Sequence, residues 1–440
     1  METAYPAARY RERRQGSGVI WLCTLGAVAL ADSLTGYAEV RADYVHGVQG
    51  VPWGLHQRVR PTLELEPRGW LRVVGTVQSA VDGGRDADRE AVAVLEDQLP
   101  EAVTAACPLP EPEPRIDQVS DVVSVERLFV DVYTQRVDLR IGRQALNWGS
   151  ALLLNPTDLF AEELLTRPWQ ERQGVDGVRA TVPLGQRHQL VAVAAVQEPS
   201  WGELDPIDGR FGLKPTFNVA STDVAPVLSV TTAGDPFVGL DLKGQLGVGW
   251  WLEGGVHVNP GDGGPDPALE VSAGVDYSVI VLDGLVLAVQ YTYDGTGLAD
   301  PSDYTLAARG GTMLPECEFA EGALEAPDDP RFTIGRHYGL ARAQLSLLDV
   351  FRVSATALMN LQDRSTLVVP TATWTPGGAW SVDLSGQIYL GEGELNPHDT
   401  PALTTLRLQS DPGQDAGGVI LDLQGLVPAW SAAAYVRYAF

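Results

Sequence analysis

The sequence predicts an all-β fold, a single antiparallel barrel that crosses a membrane with its strands. Three observations predict it: an export pattern at the N-terminus, about sixteen short segments of alternating polarity, and a last segment that ends on an aromatic residue.

The export pattern comes first in the chain. Arg9, Arg11, Arg13 and Arg14 precede an apolar run from Val19 to Leu30, which closes on Ala29-Leu30-Ala31. A basic stretch, a short apolar core and small residues describe a signal peptide over residues 1–31, removed on export. The run is shorter than the roughly 20 residues of a spanning helix. No later apolar run approaches roughly 18 residues, so helical membrane spans are excluded. Residues 32–440 show no composition break and read as one barrel domain.

Alternation supplies the strands. Glu39, Arg41 and Asp43 interleave with Val40, Ala42 and Tyr44. Arg58, Arg60, Thr62 and Glu64 interleave with Val59, Pro61, Leu63 and Leu65, and after Pro67-Arg68-Gly69 the chain returns through Arg72, Thr76 and Gln78 against Leu71, Val73 and Val77. In a membrane barrel such a period of two sets one face against lipid and the other toward the lumen. The segments are 36–48, 56–66, 69–81, 121–134, 136–145, 174–183, 187–197, 236–247, 249–259, 268–278, 283–294, 335–347, 350–361, 365–375, 379–390 and 430–440. They give about sixteen strands, within a range of about 14 to 18. Segments 403–409 and 418–427 raise the number to eighteen if both join the wall. Tight turns at 183–187 and 375–378 alternate with long connections at 82–120, 146–172, 198–235, 295–335 and 392–416. Short periplasmic turns and long external loops are the pattern of an outer-membrane barrel, and an even strand number leaves both ends on the periplasmic side.

The final segment sets Ala432, Ala434, Val436, Tyr438 and Phe440 on one face and Ser431, Tyr435 and Arg437 on the other. It resembles the closing-strand signal of bacterial outer-membrane barrels. That resemblance implies a Gram-negative outer membrane, contact with its lipid, and recognition of Val436, Tyr438 and Phe440 by the barrel-insertion machinery. A soluble β-sandwich or propeller would instead turn its apolar face into a core.

The formal charge is −26, and removing residues 1–31 leaves 27 basic against 55 acidic residues. Loops 82–120, 198–235, 295–335 and 392–416 hold 29 acidic and 8 basic residues, so most of the excess reads as solvated external surface. The strands are nearly balanced. On their inward faces Arg41, Arg58, Arg60, Arg72, Arg127, Arg140 and Arg179 form, with Arg437 across the seam, a basic arc. Two readings stand: a rail for an anionic or hydroxylated solute, or partners for Glu39, Asp43, Glu64 and Asp131 that hold the strand register. No basic patch for nucleic acid appears.

The most distinctive text is Ile141-Gly142-Arg143-Gln144-Ala145-Leu146-Asn147-Trp148-Gly149, followed by Asn155-Pro156-Thr157-Asp158-Leu159-Phe160 and Gly174-Val175-Asp176-Gly177. It resembles a widespread group of porin-like outer-membrane barrels of poorly characterised function, and more distantly barrels of alginate export and capsule assembly. The resemblance implies the fold, the membrane, and transport of a small hydrophilic solute or saccharide. From its own residues the segment reads as a constriction loop folded into the barrel mouth. Trp148 and Phe160 bury against the wall, Asn155-Pro156 breaks the strand, 159–165 makes about two helical turns, and Arg143 and Arg167 approach the lumen. Asn147 and Asp158 belong to the same loop. An external loop capped for stability fits the same residues.

Cys107 and Cys317 lie in Pro- and Glu-rich loops, where an oxidising compartment allows a bridge, and two separate thiols fit equally. No nucleophile elbow, zinc-protease pattern or metal-spaced cysteine pair occurs. The expectation is therefore no enzyme, no metal and no cofactor, with His257 beside Glu253 as the one assembled hydrolase alternative. A channel leads the readings, a plugged barrel serving an envelope or polysaccharide-export assembly comes second, and an outer-membrane hydrolase last.

Overall fold

The computed structural model describes residues 33–48, 51–84, 123–160, 172, 174–196, 209–232, 234–258, 267–305, 333–400, 405–408, 419–422, 424 and 427–440. The expected signal peptide, Cys107, Cys317, Arg167 and most of the expected helix at 159–165 lie outside the described residues.

The strands are β1 (Ser33–His46), β2 (Trp53–Arg68), β3 (Leu71–Gly84), β4 (Val123–Tyr133), β5 (Asp138–Gln144), β6 (Val175–Pro183), β7 (His188–Val196), β8 (Gly209–Val219), β9 (Thr222–Thr231) and β10 (Pro236–Gln245). They continue as β11 (Gly249–His257), β12 (Ala268–Val279), β13 (Leu285–Asp294), β14 (His337–Leu347), β15 (Phe351–Asn360), β16 (Thr366–Gly377), β17 (Trp380–Leu390), β18 (Thr405–Leu408), β19 (Val419–Asp422) and β20 (Trp430–Ala439). Eighteen of them form one antiparallel sheet in which each strand from β1 to β16 pairs with the next, β17 pairs with β20, and β20 returns to β1. At the seam Glu39 lies opposite Arg437 and Val40 opposite Val436. Gly36 and Phe440 exchange both backbone hydrogen bonds at 2.9 Å, so the terminal residue is stitched to the first strand. Closure leaves no free sheet edge, which is the condition for β-structure in a bilayer.

Two differences from the sequence reading concern the strand count. Residues 198–235, expected as one long loop, contain β8 and β9. Phe211, Leu213, Phe217 and Val219 face outward and are exposed, while Arg210, Gly212, Lys214 and Thr216 face the lumen. Pro215 and Pro226 mask the hairpin, because each removes a ladder donor and reads as a breaker. The β8–β9 pairing does lapse between Leu213 and Phe217, beside both prolines. The turn at Ala220-Ser221 also lacks glycine or asparagine although both residues have positive φ, 48° and 68°. Segments 403–409 and 418–427 do pair, as β18 and β19, but only with each other, in a separate two-stranded sheet.

Outward side chains are apolar around the wall, among them Val40, Leu128, Ile141, Leu240, Val289, Val353 and Leu384, all exposed. Aromatic rings flank this belt. Near the short turns Phe351 stacks on Trp374 at 5.9 Å and Trp380 meets Tyr438 at 4.9 Å, with Trp70 and Phe440 beside the same rim. Near the long loops Tyr44 meets Trp430 at 5.5 Å. An exposed apolar band between two aromatic girdles is a surface made for lipid, not water.

Candidate functional site

The text between β5 and β6 folds into the lumen as a strap. Trp148 is buried, its ring edge-on to Phe160 at 4.9 Å, in a cluster with Leu146, Val193, Ala195, Val227 and Phe237 from β7, β9 and β10. Gly212 of β8 lies under this indole, and a Cβ there would sit 2.5 Å from the ring. The strap then reaches the far wall. Glu253 of β11, 1 % exposed, accepts hydrogen bonds from the Ser150 and Ala151 N–H groups, both at 3.2 Å, and from the Thr157 hydroxyl at 2.6 Å. Gly149, at φ 90°, leaves room for that carboxylate, since a Cβ would lie 2.8 Å from its oxygen. Gln290 of β13 accepts from Leu152 N–H at 2.8 Å and donates to the Leu153 carbonyl, and Ser272 of β12 donates to the Leu154 carbonyl at 3.1 Å. Asp158 closes the strap on itself, accepting from Trp148 N–H at 2.9 Å and pairing with Arg172 at 2.5 Å. Burial pushes the Asp158 carboxyl above the usual carboxylate range, against the pull of that N–H and of Arg172. Pro156 is buried beside it, Asn155 supplies the carbonyl that accepts Asp158 N–H, and Asn147 is exposed.

A second inward segment meets the strap. Leu395, from the connection after β17, packs with Leu153 against Tyr338, Leu340, Leu358, Leu367 and Val369 of β14 to β16. Glu394 anchors it and is not solvated loop surface as expected: it is 1 % exposed. It accepts from Ile334 N–H at 2.5 Å, Gly335 N–H at 3.2 Å, the Tyr338 hydroxyl at 2.6 Å and the Asn360 amide at 2.6 Å. Four donors satisfy a carboxylate that burial would otherwise penalise. Sequence reasoning finds the strap and names Glu253 only beside His257; it misses both Glu253 and Glu394 as anchors. The available signal for Glu253 was its place among Trp251, Gly254 and Gly255, small and bulky neighbours that leave space for a crossing chain.

The basic arc is largely engaged with acids and rings. Arg437 donates to Glu39 at 2.7 Å and 3.0 Å and covers the Tyr37 ring at 4.2 Å; Arg60 lies 5.9 Å from the same ring. Arg41 lies 3.6 Å from Asp43. Arg72 pairs with Glu64 and reaches Asp131 at 3.6 Å. Arg140 grips both Asp131 oxygens, at 2.6 Å and 2.9 Å. Arg127 donates to the Glu126 and Arg172 carbonyls, and Arg58 stands opposite Glu39 in the β1–β2 register. Arg143 is a correction. It stands opposite Leu128, which is 56 % exposed to the outside, and pairs with Asp176 at 2.7 Å, so it faces away from the lumen. The strand's parity decides this, because Arg140 and Gln144 take the inward positions. His257 does not face Glu253 as a catalytic partner either; it lies 3.5 Å from Glu270, while the Glu253 carboxylate is bound to the strap.

Between the strap and the short-turn rim lies a cavity of about 430 Å³. Residues 146–150 roof it, and β6 to β10 supply its wall, including Arg179, Gln189, Lys214, Asp241 and Lys243. Lys214 pairs with Asp241 at 2.8 Å.

No family model matches the chain, and no curated protein matches it. Solved structures do. The chain is similar to Wzi of Escherichia coli, described as an outer membrane protein involved in group 1 capsule assembly and a carbohydrate-binding β-barrel, at 12 % identity and TM-score 0.50, over 96 % of this chain and 87 % of that one. It is similar to OccK5 of Pseudomonas aeruginosa at 9 % identity and TM-score 0.51, over 93 % and 99 %. The outer membrane protein OpdK of P. aeruginosa gives 11 % and 0.50, over 93 % and 99 %. At these identities the likeness is one of fold: a closed antiparallel β-barrel of the kind those outer-membrane proteins have, which is the fold that the motif at 141–177 implied.

Proposed function

We propose that the protein is a passive outer-membrane channel for a small hydrophilic solute or saccharide, with the strap at 146–160 as its constriction. One observation carries the reading. The strap crosses from β5 to Glu253, Gln290 and Ser272 on the opposite wall, yet leaves a polar, charged cavity beside β6 to β10. A pore narrowed on one side and lined by fixed charges on the other is how large barrels select solutes. The Wzi likeness favours a second reading, a plugged barrel in an envelope assembly, because the Glu394 segment fills a further part of the lumen.

Single-channel recording separates the two. The intact barrel conducts in a planar bilayer, and deleting residues 150–171 raises its conductance severalfold. Failure of both proteins to conduct while correctly inserted would overturn the channel and leave the plug.

A further inference from the structure

Exposed apolar side chains do not stop at the lipid-facing belt; on one arc of the wall they continue over the short turns. Ile280 and Leu282, in the turn between β12 and β13, are 98 % and 68 % exposed, and Leu348, in the turn between β14 and β15, is 78 % exposed. Leu246, in the turn between β10 and β11, extends the same arc. A turn in water gains nothing from such side chains, and the backbone makes two of them costlier still. Leu282 and Leu348 sit at φ 53° and 54°, the left-handed region where glycine or asparagine is the ordinary choice.

The two leucine turns are fastened into one foot. Asp283 accepts a hydrogen bond from Leu348 N–H, and Ser346 N–H donates to the Gly284 carbonyl at 3.0 Å. Above the foot the surface is unbroken, because the outward residues of β12 are Val279, Tyr277, Val275, Ala273, Val271 and Leu269. At about 3.4 Å per residue and a tilt of about 40°, the stretch from Leu269 to Ile280 is roughly 29 Å tall, above the roughly 25 Å of an ordinary barrel belt.

About half-way round the wall the short turns end differently. Those at 67–70 and 134–136 expose Arg68, Gln135 and Arg136. The Arg68 guanidinium lies over the Trp70 ring at 5.7 Å, so the aromatic girdle there sits at the turn itself. On β12 the exposed ring of Tyr277 stands roughly 8 Å above the tip at Ile280, and everything outward between them is apolar.

We propose that the turns at 280–284 and 348–350 are a membrane foot. Ile280, Leu282 and Leu348 insert among the acyl chains of the periplasmic leaflet, which on this arc reaches below Tyr277, and Asp283 and Asp349 lie among its headgroups. Lipid is the occupant because the foot continues the lipid-facing belt with no polar break, whereas a protein-docking patch is set off by a polar rim. The bilayer therefore meets a thicker wall at β12 to β15 than at β2 to β5. This holds whether or not the barrel conducts.

Spin labels at Leu348→Cys and Arg136→Cys, in protein with Cys23, Cys107 and Cys317 changed to serine, read the depth in phosphatidylcholine nanodiscs that hold one barrel each. The label at 348 collides with membrane-dissolved oxygen and is shielded several-fold from an aqueous nickel chelate, relative to the label at 136. A single barrel per disc removes a second copy and every other membrane protein, so lipid is the source of that shielding. Equal nickel access at both positions would overturn the foot and assign the surface to a protein partner. Leu282→Asn combined with Leu348→Asn, made with the native cysteines in place, gives a second measurement because asparagine accepts the left-handed backbone. Relief of that backbone alone would raise the denaturant midpoint of the barrel in phosphatidylcholine vesicles, while loss of the foot lowers it. The midpoint falls; one that rises or stays the same would show that these leucines are not held by lipid.

Discussion

Along β1 to β5 the inward side chains are charged and paired across strands, Arg437 with Glu39 and both Arg72 and Arg140 with Asp131. Along the long-loop halves of β14 to β16 they are apolar: Tyr338, Leu340, Leu358, Leu367 and Val369. The same strands turn polar lower down, where Arg342, Arg352 and Thr373 face inward. The change follows cover. Leu153 and Leu395 lie on the apolar stretch, while water reaches the charged one. A lumen-facing leucine costs nothing once a strap removes it from water, and stabilises by roughly 1.5–3 kcal/mol on full burial. The inward face of this barrel is thus apolar where Leu153 and Leu395 pack on it, and polar under the strap only where the side chain itself binds the strap, as Glu253, Gln290 and Ser272 do.

The largest effect on this contrast should come from Glu253→Ala. It removes the acceptor for Ser150 N–H, Ala151 N–H and the Thr157 hydroxyl together. Each donor left buried and unpaired costs about 1–3 kcal/mol, enough to populate an undocked strap and uncover the apolar wall. Single-channel records should show added high-conductance states, with Glu253→Gln intermediate because its amide retains one acceptor oxygen. A record identical to the intact protein's would mean that the Trp148 cluster alone holds the strap.

Much of this was legible beforehand because strand parity is a local signal. The alternation at Glu39 to Tyr44 and at Val436 to Phe440 places side chains correctly, as exposed Val40, Val436 and Tyr438 show. The burying role of Trp148 and Phe160 was also readable from two aromatics around a strand-breaking Asn155-Pro156. Arg143 was misplaced for want of one step of parity: counted from Arg140, it falls on the lipid side. The β8–β9 hairpin was hidden by Pro215 and Pro226. Glu253 was legible as an inward acid but not as an anchor, and Glu394 not at all, because the backbone groups they bind lie 102 and 60 residues away in sequence.

The charged side of the comparison is tested by Asp131→Asn. Asp131 is buried between Arg72 and Arg140, so neutralising it leaves both guanidiniums short of a partner. Breaking a buried pair costs roughly 3–5 kcal/mol, which should lower the temperature of the heat-induced mobility shift. The freed positive charge should also move the reversal potential toward anion selectivity. That shift grows in dilute electrolyte, where the screening length lengthens from about 10 Å at 0.1 M to about 30 Å at 0.01 M. A selectivity independent of salt would place the pair outside the conducting path.

The smallest effect expected is that of Tyr338→Phe, and it asks whether the two inward segments move as one. The hydroxyl donates to Glu394 at 2.6 Å and accepts from Gly335 N–H at 2.6 Å, so phenylalanine deletes both contacts while keeping the ring in the apolar stretch. Glu394 retains Ile334, Gly335 and Asn360, so the net loss should be near the ~1 kcal/mol of an ordinary hydrogen bond. Amides of 333–336 and 393–396 should therefore exchange faster by several-fold. The strap has its own anchors in Glu253, Gln290 and Ser272, none of which touches Tyr338 through a hydrogen bond. Exchange at 150–154 and the single-channel conductance should accordingly stay as they are. If those amides loosen as well, the Leu153 and Leu395 contact transmits the change, and the covered wall is one cooperative unit in which the Glu394 segment helps set the width of the pore.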